Sequence, residues 1–433
     1  MNTEQTRLGA TRQRALADAA AFLDNGAPGY AKRRNFDFGP ARRDNVSVLS
    51  PFVRHRLLLE QELVAASIQA HGTGATSKFV EEVFWRAYFK GWLEHHPSVW
   101  QRYQADTAAL LRDIESNSQL LDRYTTAVEG NTGIDCFDAW ARELADTGYL
   151  HNHARMWFAS IWVFTLELPW QLGADLFLRQ LMDGDPASNT LSWRWVCGLH
   201  TRGKTYLARV SNILNYTDNR FNPQGQLATH AVPLEETVDY PREALRFGSA
   251  ELPDAPYGLL VTEEDCNVES LHTSLSPAVV IGAVATRRRS ILPVGQHAHA
   301  FAKGAVSDAV ERARQAFNCE ASCFEADDWS EQLVEHCREA SVDTLVTPFV
   351  PTGPVNDVLN ASRQSLDEAG IRIVMVSRQY DRETWPFASR GYFKLKKQIG
   401  SVIERMQLDS AELPEPLRRS SSPAQQDLLR SSG

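Results

Sequence analysis

The spacing of apolar residues changes once along this chain, and that change limits the fold more than any other feature. From about residue 55 to 215, segments such as HRLLLEQELVAASIQA, KFVEEVFWRAYFKGWLE, HNHARMWFASIWVFTLEL and ADLFLRQLMDG place apolar residues three and four apart, the spacing of one helix face. Between 218 and 256, DNRFNPQGQ and LPDAPYG have the composition of a linker. Beyond it, the apolar runs GLLVT (258–262), AVVIGAVA (278–285), DTLVTPF (343–349) and IRIVMVS (371–377) alternate with the amphipathic stretches AVSDAVERARQAF, WSEQLVEHCREA and VNDVLNASRQSLDEAG. Strands that are apolar throughout are buried on both faces, so this alternation predicts a mostly parallel sheet covered by helices. A chain of 433 residues exceeds one ordinary core. The expectation is an α-helical domain over 1–235 and a Rossmann-like α/β domain over 250–405. Residues 409–433, rich in Pro and Ser, read as a disordered tail.

Charge divides the chain in the same way. Residues 1–230 sum to zero and residues 231–433 carry the whole net charge of −9, while residues 31–60 run to +4. A protein that holds nucleic acid by bulk charge is basic overall, so such a role here would rest on a local basic patch. No run of about 18 apolar residues exists, so no membrane span is expected. MNTEQTRLGATRQRALADAAAFL lacks the basic-then-apolar order of a secretion signal and reads as a surface helix, so a cytoplasmic protein is expected. The six cysteines, at 136, 197, 266, 319, 323 and 337, include no CxxC pair. Reduced thiols and no metal site are expected.

Nine of the eleven tryptophans fall between Trp85 and Trp195. They fill a helical core, or they serve a buried cofactor, and the aromatic residues alone do not decide between the two. The polar residues among them say more. HNHAR (151–155) and DGDPASN (183–189) set His, Asn, Arg and two Asp amid apolar helix text. Arg and Asp are seldom buried unless paired, so an Arg155–Asp183 pair lining a polar ligand is one reading. A helix cap with Pro at the first position is the other.

TGYLHNHARMWFAS followed by LMDGDPASNTLSWRW resembles the flavin-site signature of the photolyase/cryptochrome family. Upstream, GYAKRRNF, SVLSPF, EEVFWRAYF and TGIDCFDAWARELADTGYLHN resemble that family's earlier elements in the same order, so that the likeness spans about residues 28–225. It implies a helical FAD-binding domain. By resemblance, Tyr30, Ser47 and Ser50 hold the ribityl and diphosphate region, Arg86 adds a fixed charge, and Asn152, Arg155, Asp183 and Asp185 surround the isoalloxazine and ribose. Asn189 faces the flavin N5, where a neutral amide cannot donate a proton as a carboxylic acid could. Trp193 matches the proximal and Trp170 the middle member of the family's electron-hopping chain. The distal member has no match, with Trp100 and Trp162 as candidates.

The resemblance further implies a substrate of damaged DNA, with a pyrimidine dimer flipped over the flavin. Trp85 and Trp195 match its stacking pair, Glu82 its hydrogen-bonding carboxylate, Met156 a neighbour and Arg34 a phosphate contact. Trp85 and Glu82 also suit an ordinary helix with one core aromatic and one solvated acid. Three features depart from the family. The α/β segment follows the flavin segment, as in a circular permutation; His153 stands where arginine is common; and residues 201–210, at +3, replace shorter glycine-rich text. His153 is exposed, or it is a proton donor. Two functions follow from the resemblance: light-driven splitting of pyrimidine dimers by reduced FAD, or a cryptochrome-like photoreceptor that signals to a partner protein.

Overall fold

The computed structural model describes residues 9–249, 252–271 and 276–418. Its first half is helical: α1 (Arg12–Asn25), α2 (Tyr30–Arg33), α3 (Ser50–Arg54), α4 (Glu60–His95), α5 (Ser98–Ser116), α6 (Ser118–Val128), α7 (Asp135–Thr147), α8 (Asn152–Ser160), α9 (Trp170–Gln180), α10 (Pro186–Val196) and α11 (Val210–Tyr216). Side chains set the starts of several of these helices. Thr11 caps α1 by accepting from the Arg14 N–H, Asn117 caps α6, and Asp185 caps α10 ahead of Pro186. The long α4 bends at Gly72, whose φ of 77° suits a residue without Cβ.

The second half contains β1 (Gly258–Thr262), β2 (Val279–Val284), β3 (Glu320–Glu325), β4 (Thr344–Pro348) and β5 (Arg372–Val376), all parallel in the order β3-β2-β1-β4-β5. Helices α12 (Gln296–Phe317), α13 (Ser330–Glu339) and α14 (Pro354–Glu368) make the last three crossovers. Strands β1, β2 and β4 are buried along their whole length, as their apolar runs require. The edge strand β3, EASCFE, has no such run, and the apolar pattern does not predict it.

After β5 the chain forms α15 (Gln379–Thr384), α16 (Phe393–Lys396) and α17 (Ile399–Arg405) and returns to the first half. There α4 lies so close that a Cβ on Gly91 would come within 2.9 Å of Trp385 and Ala388. One continuous core joins Leu16, Phe52 and Val64 of the helical half to Val261, Val280, Phe301 and Leu417. Of the expected tail 409–433 the structure describes residues 409–418, where Leu413 and Leu417 are buried. Residues 419–433 lie outside the described residues.

Candidate functional site

Helix α4 carries Glu82, Trp85 and Arg86 within little more than one turn. Arg86 donates from Nη2 to Asp185 Oδ2 at 2.9 Å and lies 3.3 Å from Glu60. Asp185 Oδ1 accepts from the N–H groups of Ala187 and Ser188, so one carboxylate both starts α10 and anchors α4. Arg54, at the end of α3, lies 3.8 Å from Asp185 and donates to Glu264 at 2.5 Å and to the Gly184 carbonyl at 3.0 Å. Lys90 reaches the other oxygen of Glu264 at 3.3 Å. Three cations thus face the three carboxylates Glu60, Asp185 and Glu264. Burial would raise the Asp185 carboxyl, but Arg86, Lys90 and Arg54 hold it well below the usual range.

This cluster occupies the ends of β1 and β4, the switch point where open α/β sheets commonly bind ligands. Lys90 and Glu94 of α4 and the head of α10 fill that crevice, leaving a void of about 10 Å³, room for roughly one water. Beside it, Arg56 pairs with Asp265 and Asp381, and Arg378 bonds both oxygens of Asp265. Arg54 and Arg56 are therefore buried ties between the halves. The basic stretch 31–60 is only partly an exposed patch: Arg54 and Arg56 are buried, Arg34 pairs with Glu82 and Arg43 with Glu143, whereas Lys32 and Arg42 lie at the surface.

A second polar group lies across α10. Arg155 donates from Nε to the Leu150 carbonyl at 3.0 Å and from Nη2 to Asp183 Oδ2 at 2.9 Å. The expected Arg155–Asp183 pair is therefore present. Asp183 Oδ1, Arg54 Nη1 and His151 Nε2 are buried with no hydrogen-bond partner among the described residues, an open set of one acceptor, one donor and one ring nitrogen for a polar ligand. Asn189 donates from Nδ2 to the Ala174 carbonyl at 2.8 Å. Since that carbonyl can only accept, the Asn189 oxygen is left to accept from something else. Asn152 is exposed at the start of α8. Ser47 accepts weakly from the Leu49 N–H, and Ser50 opens α3. Between them Val48 has a φ of 53°, a strained setting for a β-branched residue.

Tyr30 packs edge-on against Phe22 and Phe79, with burial and then Glu82 raising its phenol. Glu82 pairs with Arg34 at 2.9 Å and with Lys78 at 3.0 Å. The next residue, Asn35, offers its carbonyl to His153 Nδ1, whose Nε2 lies 3.3 Å from the Tyr206 hydroxyl. The Tyr206 ring in turn stacks on Trp195. Glu82, Arg34, His153 and Trp195 are thus joined by contacts, and Met156 is half-buried on the helix that carries His153. His153 is held at both ring nitrogens, contrary to the exposed reading, and burial lowers its pKa. Trp85 was expected to offer a stacking face, and Tyr392 already stacks on it at 3.6 Å between centroids. No sequence signal marks Tyr392, Tyr206 or Glu264 as site residues. Arg54 leaves a trace there, as a charge inside the apolar text PFVRHRLLLE.

The tryptophans of the expected electron-hopping chain, with its two candidates, form two groups. Trp193 meets Trp162 edge-on at 6.3 Å, and both press on Gly173. Trp170, one turn before Gly173, stacks on Tyr103 at 5.7 Å, and Tyr103 meets Trp100 at 5.4 Å. Trp162 therefore adjoins the expected proximal member and Trp100 lies beyond the middle one.

Residues 79–249 match the family described as the FAD binding domain of DNA photolyase. The chain is 32% identical over 248 residues to the deoxyribodipyrimidine photo-lyase of Escherichia coli, covering 56% of this chain and 47% of that protein. It is 31% identical over 241 residues to a deoxyribodipyrimidine photo-lyase of Thermus thermophilus, covering 56% and 54%. The chain spans about half the length of the curated relatives it matches. A bacterial class III photolyase from Agrobacterium tumefaciens superposes with a TM-score of 0.40 at 27% identity, over 48% of this chain and 43% of that one. Among the described residues no helix is long and apolar enough to cross a membrane. Residues 79–249 therefore match the FAD binding domain of DNA photolyase, and that match supports FAD as the cofactor.

Proposed function

We propose that the protein is a light-driven lyase that splits pyrimidine dimers in DNA, with the helical half holding FAD. The observation that carries this reading is the arrangement on α4. Glu82, paired with Arg34, stands one turn before Arg86, which is tied through Asp185 to the helix bearing Asn189 and Trp193. One rigid helix thus joins the expected substrate side to the expected cofactor side. The names of the relatives, deoxyribodipyrimidine photo-lyases, support the same substrate.

The unpartnered Asp183 oxygen and Arg54 donor fit a ligand rich in hydroxyl, imide and phosphate groups. Asp183, Asp185, Arg155 and Asn189 would hold the ring system and ribose with Asn152, and Tyr30, Ser47, Ser50 and Arg86 the ribityl and phosphate portion. When bound and reduced, FAD supplies the electron that light transfers. Asn189 offers an acceptor there and no acidic proton. The Glu82 carboxylate, charged beside Arg34 and Lys78, accepts from the imide N–H of a pyrimidine, while Trp85 and Trp195 bound the lesion. Glu82→Ala removes one charge-assisted hydrogen bond worth about 1.5–3 kcal/mol. The preference for damaged over undamaged oligothymidine should then fall about ten- to hundredfold. An unchanged preference would count against this placement of the substrate. The competing photoreceptor reading has no observation of its own in its favour.

A further inference from the structure

With Arg54 and Arg56 buried and Arg34 and Arg43 paired, the stretch 31–60 offers a polyanion less positive surface than its sequence implied. A second segment adds to it. Residues 390–397, RGYFKLKK, hold four cations and no acid, inside the half of the chain that carries the whole negative surplus. The local structure turns this composition outward. Tyr392 and Leu395, three apart, are buried as anchors, and Tyr392 stacks on Trp85 and donates to the Glu81 carbonyl. Arg390, Phe393, Lys394, Lys396 and Lys397 are left exposed. Lys396 pairs with Glu81, whereas Arg390, Lys394 and Lys397 have no ion-pair partner among the described residues. Phe393 is 74% exposed, more than any other large apolar residue described.

An aromatic ring left in water among unpaired cations is what a strand of bases and phosphates recognises: the ring stacks on a base and the cations take the phosphates. Its position beside the ring that covers Trp85 sets it next to the expected lesion site. We propose that residues 390–397 form a DNA clamp in which Phe393 stacks on a base flanking the lesion and Arg390, Lys394 and Lys397 bind the adjoining phosphates. The clamp would make the α/β half part of the substrate site. This inference rests on the lyase reading above, since DNA is the ligand of both.

The test uses the full-length, FAD-loaded protein with labelled oligothymidine, UV-irradiated or not, across a salt series. Because the altered side chains are exposed, flavin absorbance and thermal midpoint serve as checks that Phe393→Ala and the double variant Lys394→Ala/Lys397→Ala fold normally. Phe393→Ala should weaken binding of both oligonucleotides about tenfold, with Phe393→Trp restoring it. The double variant should reduce the slope of log affinity against log salt by about 1.4, two single-strand phosphate contacts. Wild-type affinity and slope in the variants would overturn the clamp and leave the lyase reading standing. A wild-type protein that binds neither oligonucleotide would overturn both. A change in sedimentation without a change in DNA affinity would make the patch a contact between copies and overturn the clamp alone.

Discussion

Replacing Asp185 separates its two tasks, because asparagine keeps one of them. Its Oδ1 caps α10, while its charge balances Arg86, Arg54 and Lys90 together with Glu60 and Glu264. Asp185→Asn retains an oxygen that can accept from Ala187 and Ser188, so the cap survives. It leaves three cations, two of them fully buried, facing two carboxylates. Breaking a buried pair from one side costs about 3–5 kcal/mol. The retained contacts of Arg86 to Glu60 and of Arg54 to Glu264 put this case near the lower end, about 3 kcal/mol. Asp185→Ala loses the cap as well, a further ~1 kcal/mol. Urea unfolding followed by circular dichroism measures both variants, with bound flavin read from the visible spectrum. The predicted order is wild type, then Asn, then Ala, with weakened flavin retention in both variants. An Asp185→Asn protein within about 0.5 kcal/mol of wild type, the range of an ordinary surface change, would refute the claim that the cluster needs this charge.

Three other outcomes follow from the packing. Gly173→Ala should destabilise by about 1–3 kcal/mol in urea unfolding, against a helix-propensity gain of about 1 kcal/mol, because its Cβ would come within 2.3 Å of the buried Trp193 ring. Tyr392→Ala should cost about 3–4 kcal/mol and open Trp85 to acrylamide quenching, whereas Tyr392→Phe keeps the stack and loses about 1 kcal/mol with its hydrogen bond to Glu81. His200, which shares a hydrogen bond with the Tyr88 hydroxyl, is lowered to about 4 by burial and then by Arg194. Its contribution to stability is complete above the unfolded value near 6.5 and is lost as pH falls toward 4. The gap in unfolding free energy between wild type and His200→Gln should therefore close by on the order of 1 kcal/mol per pH unit over that range, and NMR titration of the ring should give the low value directly.

The site residues set by helical spacing are legible in the amino-acid order itself. Glu82 and Arg86, and Asp185 and Asn189, are each four apart, so a local motif already places each pair on a common face. Strands β1, β2, β4 and β5 are legible because their apolar runs have no helical period. Strand β3 is not, since an edge strand with half-exposed faces needs no such run. Long-range pairings are the least visible. The partners of Arg54 and Arg56 are invisible in the nearby sequence because Glu264 and Asp381 lie 210 and 325 residues away. For the same reason nothing near Trp85 in sequence reveals that Tyr392 covers one of its faces. Leu413 and Leu417 are buried in a Pro-rich stretch that is mostly without helix, so its composition alone does not reveal their packing.

The central claim is light-driven repair, and the most direct measurement is the recovery of thymine absorbance in UV-damaged oligothymidine. The purified protein, reduced anaerobically beforehand, is mixed with the oligonucleotide and compared in blue light and in darkness. Prior reduction removes any dependence on the tryptophan chain. Recovery is expected in the light, none in the dark, and a marked loss in Glu82→Ala with its flavin spectrum intact. Equal absorbance in light and dark from a protein shown to carry reduced FAD would contradict the claim.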